Sequence, residues 1–171
     1  MKLLGIIMIC TCSSMLGFMQ GERLRQHYDE QIYLKKIVML IRGEIRYNCG
    51  VLSEVFENVS RKVKEPYKDI FSQLSGSLSK GDGETFNDIW NSTVIKKLNG
   101  TKLFERDIEG FKELGENMGY LDTQMQLNYI DLYIDRLSGE IEDTKDKLQG
   151  SIKLFKALGI MGGLLLTILI I

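Results

Sequence analysis

The sequence predicts an all-α protein: an antiparallel bundle of about six helices, flanked by two transmembrane helices, the last continuous with a long C-terminal helix. Three observations carry that expectation. Leu127, Ile130, Ile134, Leu137, Ile141, Thr144, Leu148, Ile152 and Phe155 recur at alternating steps of three and four, one apolar stripe on one helix. A single proline in 171 residues leaves long helices uninterrupted. Both ends of the chain hold stretches without charge, Leu3 to Gly21 and Ala157 to Ile171. The expected organisation is an anchor over 1–21, a helical bundle over 22–156 and a membrane segment over 157–171.

The first segment is somewhat short for a span, and Thr11, Ser13 and Ser14 interrupt its apolarity. A cleaved signal peptide, or a lipid-anchored structural protein, is therefore the rival reading. The small residues of a cleavage or lipidation site are poorly placed, which favours an uncleaved anchor. From Glu22 to Tyr47 the residues Leu24, Tyr28, Ile32, Leu34, Ile37, Val38, Leu40, Ile41 and Ile45 read as one amphipathic helix. Asn48-Cys49-Gly50 stops it. A second helix carries Val51, Leu52, Val55, Phe56 and Val59 and ends near Lys64-Glu65. Pro66 opens a third, with Tyr67, Ile70, Phe71, Leu74 and Leu78 inside.

Lys80-Gly81-Asp82-Gly83 is a turn, in which Gly81 and Gly83 are expected to act as hinge or interaction residues and Asp82 or Gly83 to cap the next helix. A fourth helix then sets Phe86, Ile89, Trp90, Val94, Ile95 and Leu98 inward, until Asn99-Gly100. Leu103, Phe104, Ile108, Phe111 and Leu114 make a fifth amphipathic stretch. Gly115 to Gly119 is expected to be the hinge before the terminal helix, with Asp122 capping it and Gln126 one turn on. That helix would be on the order of 75 Å long. In its membrane part Gly159, Gly162 and Gly163 would permit close packing against the first span.

Charge and chemistry narrow the function. A net charge of -1 with interspersed signs gives no footprint for nucleic acid. Arg23 and Arg25 follow the first span, and Lys153 and Lys156 precede the second, which by the positive-inside bias places the central domain in the cytoplasm. Cys10, Cys12 and Cys49 form no disulfide framework, and the single histidine, His27, supports no Cys/His metal site. Asp131, Asp135, Glu142 and Asp143 lie on a helix carrying both signs, so a charged outer face outweighs a metal site. Gly81-Asp82-Gly83 lacks the remaining glycines and the lysine-serine pair of a phosphate cradle. The expectation is a membrane-anchored interaction protein that is no enzyme and takes no cofactor.

Two stretches resemble a known family. Leu114-Gly115-Glu116-Asn117-Met118-Gly119-Tyr120-Leu121-Asp122-Thr123-Gln124-Met125-Gln126 is similar to the pattern Leu-Gly-x-x-Leu-Gly-x-x-Asp-x-x-x-Gln. Lys156 to Leu169 is similar to the same family's closing segment, and Glu44-Ile45-Arg46-Tyr47 fits as well. The family is stage III sporulation protein AB of endospore-forming bacteria, and the resemblance covers essentially the whole chain. Leu78 to Phe86 and Gly115 to Leu121 also resemble the cytoplasmic domain of the platform proteins of type II secretion and type IV pilus systems. This chain has one such module where those platforms have two. The resemblance implies a platform subunit of the channel complex joining mother cell and forespore. It would sit in the outer forespore membrane with its bundle on the mother-cell side. Implied partners are the cytosolic secretion-type ATPase of the same operon, other channel membrane subunits, membrane lipid and a further copy in a homo-oligomer.

Overall fold

The computed structural model describes the backbone of residues 2–48, 51–81, 83–119 and 122–170, with side chains over 19–47, 51–81, 83–119 and 122–148 and at positions 15, 150 and 161. It is all-helical among those residues. Six helices follow in order. They are α1 (Lys2–Asn48), α2 (Leu52–Ser60), α3 (Tyr67–Lys80), α4 (Phe86–Trp90, a π turn Asn91–Ile95, then Lys96–Leu98), α5 (Glu105–Met118) and α6 (Thr123–Ile170).

The chain forms two compact units, Met1–Asp29 with Glu140–Ile171, and Glu30–Gly139. The first unit joins the two ends of the chain. Helices α1 and α6 run as backbone helix through both segments expected to span a membrane. Among the described residues no helix is long and apolar enough to cross a membrane. The spans expected over 1–21 and 157–171 lie almost wholly outside the described side chains, and the packing role expected of Gly159, Gly162 and Gly163 lies outside them altogether.

The second unit has a single core. Leu34, Ile37, Val38, Ile41 and Ile45 face inward from α1 and are almost wholly buried. Their spacing of three and four is what an apolar helical stripe requires. Val55, Phe56 and Val59 of α2, Ile70, Phe71 and Leu74 of α3, and Ile130 and Leu137 of α6 are buried as well. Ile32 departs from the sequence reading: it is 44% exposed, on the face of α1 opposite the core. The α2–α3 connection carries a cis Glu65–Pro66 bond, and α3 begins one residue after the proline.

Two polar contacts, one buried and one part-buried, tie the helices together. Gln31 Nε2 donates to Asp107 Oδ1 at 2.7 Å, while Asp107 Oδ2 accepts from the Phe104 backbone N–H at 2.9 Å and so caps α5. The Tyr67 hydroxyl donates to Glu30 at 2.7 Å. Burial, and then the Glu30 carboxylate, push that phenol far above its usual range.

Candidate functional site: the joint between α4, α5 and α6

The most constrained place in the second unit is where α4 lies on α5. Trp90 is fully buried at the centre of an aromatic cluster. Its ring centroid lies 5.0 Å from Phe111, 5.7 Å from Phe86 and 5.8 Å from Phe56. The indole sits directly on Gly115, where a Cβ would fall 2.2 Å from Trp90 Nε1. One turn on, a Cβ at Gly119 would fall 2.8 Å from the Phe86 Cβ. Phe86 and Trp90 are spaced by four, as are Gly115 and Gly119. An antiparallel pair of helices therefore fits two rings into two side-chain-free notches, a ridge-into-groove contact.

This corrects the reason for both glycines. Gly115 lies inside α5 and opens no turn, and Gly119 is right-handed, with φ -77 and ψ -21. Each is required by the ring above it. Helix α5 ends at Met118, and the start of α6 at Thr123 is fixed by the next two residues singled out. Asp122 Oδ1 accepts from the Met125 backbone N–H at 2.9 Å, an N-terminal cap. The buried Gln126 side chain donates to the Met118 carbonyl at 2.7 Å, binding the first turn of α6 to the last of α5. Gly81 and Gly83 stand apart from this joint. They hold φ of +65 and +82 in the α3–α4 turn, with open space around a Cβ at either, so their role there is conformational.

Sequence reasoning passed over the π turn at Asn91–Ile95. Trp90, Val94 and Leu98 are all buried at a spacing of four. In a regular helix each such step advances by about 40°, so the inward face would drift. The wide turn takes up that drift. Asn91-Ser92-Thr93, poor helix formers in a row, were the available hint. Trp90 Nε1 and Asn91 Oδ1 are buried and meet no hydrogen-bond partner among the described residues.

The carboxylates of α6 do not assemble a chemical centre. Asp131 is held by a two-pronged contact with Arg42 of α1, in which Arg42 Nη2 donates to Oδ2 at 2.8 Å. The Arg42 hydrogen bond, outweighing burial, sets the Asp131 carboxyl below the ordinary range. Among the described residues no group of three or more His, Cys, Asp or Glu could hold a metal ion. Between α5 and α6 lies an open-sided groove of about 240 Å³, lined by Glu113, Leu114, Tyr129, Leu132, Tyr133 and Arg136. Arg136 donates to Glu113 at 2.9 Å and lies 5.3 Å from the centre of the Tyr133 ring.

These features define an all-helical bundle organised on a glycine–aromatic joint. Comparison with known proteins gives that class its family. The family model for stage III sporulation protein AB matches residues 2–171, and the chain belongs to this family. It is 25% identical over 170 residues to stage III sporulation protein AB of Bacillus subtilis (strain 168), covering 99% of each chain. A solved structure of a stage III sporulation protein AB superposes with a TM-score of 0.64 at 21% identity, over 72% of this chain and 97% of the other, a likeness of fold.

Proposed function

We propose that the chain is a membrane-anchored platform or adaptor subunit of the channel complex between mother cell and forespore. Its bundle lies in the mother-cell cytoplasm and docks a secretion-type ATPase, and its terminal segments hold it in the outer forespore membrane beside other channel subunits. The observation that carries this reading is the family match from residue 2 to residue 171, which takes in both uncharged ends as well as the bundle. The clustering of the two ends into one compact unit supports it, since a bundle tied to a bilayer needs both attachments together. The joint supports it too. Rings seated on glycines leave little slack, so a push on the bundle passes along the helices with little lost to side-chain rearrangement. No chemistry by this chain is required, and no cofactor.

The test is co-purification of the tagged full chain with the ATPase of its operon from sporulating cells, together with deletion of the gene. Recovery of the ATPase, and arrest of late gene expression in the forespore, are expected. Normal spores from the deletion strain would overturn the reading.

A further inference from the structure

The exposed apolar side chains of the second unit are not scattered. Ile32, Met39 and Tyr47 share the outer face of α1, at 44%, 55% and 87% exposure. Met125, Tyr129 and Leu132 share the outer face of α6, at the mouth of the α5–α6 groove. Val51 and Phe104 are the other large exposed hydrophobics described in this unit. Concentration into two strips marks contact surface more than chance exposure does.

The two strips are opposite in kind. The α1 strip is a ridge on one helix. Lys35, Lys36 and Arg46 lie among its apolar residues, and positions 32, 35, 36, 39, 43, 46 and 47 include no acid. Gly43 lies at its middle with nothing within 4 Å of a Cβ, a shallow saddle between Met39 and Tyr47. The α5–α6 strip is concave. Its cations Lys112 and Arg136 pair with Glu109 at 3.4 Å and Glu113 at 2.9 Å. Along its flanks the acids Glu109, Glu113, Glu116 and Asp135 outnumber the cations Arg106, Lys112 and Arg136 by one, which leaves the banks net negative. A cationic apolar ridge and an anionic apolar groove are complementary in charge and in shape.

We propose that a second copy of this chain seats the outer face of its α1, from Ile32 to Tyr47, in the α5–α6 groove. Within one copy the contact cannot form, because that face of α1 points directly away from the core residues that hold α1 in place. The contact uses different surfaces on the two partners. It therefore propagates head to tail, closing into a ring or continuing as a row along the membrane. This goes beyond ATPase docking and does not depend on it.

The test uses the full-length chain in vesicles, with Cys10, Cys12 and Cys49 replaced by serine. Two differently tagged versions carry Met39→Cys and Leu132→Cys, and a short bismaleimide is added. A crosslinked pair is expected from the mixture and absent from either version alone. Lys35→Glu with Lys36→Glu in the Met39→Cys chain should abolish it, and Glu116→Lys with Asp135→Lys in the other chain should restore it. Three outcomes overturn the proposal. They are no mixed product, a product from one version alone, or protection of position 39 from a polar maleimide by anionic lipid without any crosslink. No ATPase is present, so failure here leaves the docking reading standing.

Discussion

Gly115 carries the sharpest consequence of any single residue. In the middle of a helix, glycine to alanine ordinarily stabilises by about 0.5–1 kcal/mol, because the unfolded chain loses freedom. At Gly76, on α3 with open space around a Cβ, Gly76→Ala should show that gain. At Gly115 the sign reverses. The new methyl lands 2.2 Å from the indole nitrogen of a fully buried ring that has nowhere to go. Gly115→Ala should cost about 1–3 kcal/mol, an overpacking penalty. Thermal melts of the two full-length variants in detergent are expected to move in opposite directions, and a raised Tm for Gly115→Ala would refute the ring contact. Asp131 makes a second prediction. Its carboxyl is depressed in the folded state by Arg42, so the stability it lends is present above the unfolded value and is lost as pH falls through the folded one. Asp131→Asn should lower Tm at neutral pH and remove part of the decline below about pH 4. The effect is small, since the two side chains are 32% and 46% exposed. The sequence showed that Gly115 and Gly119 matter, through a spacing shared with a family pattern, but not why. Their partners, Trp90 for Gly115 and Phe86 for Gly119, stand 25 and 33 positions upstream, and only the matched interval of four links the two pairs.

Among the helices, α6 depends most on how it starts. Asp122 caps it, and Gln126 binds it back to α5. Asp122→Ala should cost about 1 kcal/mol. Faster amide exchange over the first turn of α6, with the far half of the helix unchanged, is the measurement that checks it. Most bounds of the helices were legible because their apolar residues keep a strict period and their ends carry turn chemistry, as at Gly81 and Asp122. Two bounds were not, since α2 ends at Ser60 rather than near Lys64-Glu65 and α5 runs through Gly115 to Met118. Two further features were missed. The π turn in α4 leaves only the weak hint of Asn91-Ser92-Thr93, since it alters the rotation between Trp90 and Leu98 and not the apolar pattern. The outer face of α1 was also missed, because Ile32 sits a plausible helical step from Tyr28 and reads as core until its neighbours are placed. Periodicity reports that a residue is apolar on some face, not whether another helix covers that face.

On the scale of the whole chain, the described fold agrees with the all-helical bundle read from the sequence. The proposed membrane attachment rests on the apolar ends. Removing residues 157–171 is expected to release the protein from membranes that retain the full chain after an alkaline wash, checked by sedimentation. Retention of the truncated chain would show that its attachment lies elsewhere. The ends and the bundle can also be told apart by light. Trp90 is the only tryptophan in the sequence, and it belongs to the unit Glu30–Gly139. Tryptophan emission therefore reports on that unit alone, while the unit built from the two termini stays dark in that channel. A blue-shifted spectrum that reddens on denaturation, with the ends still held in micelles, would let the two units be followed separately without any added dye.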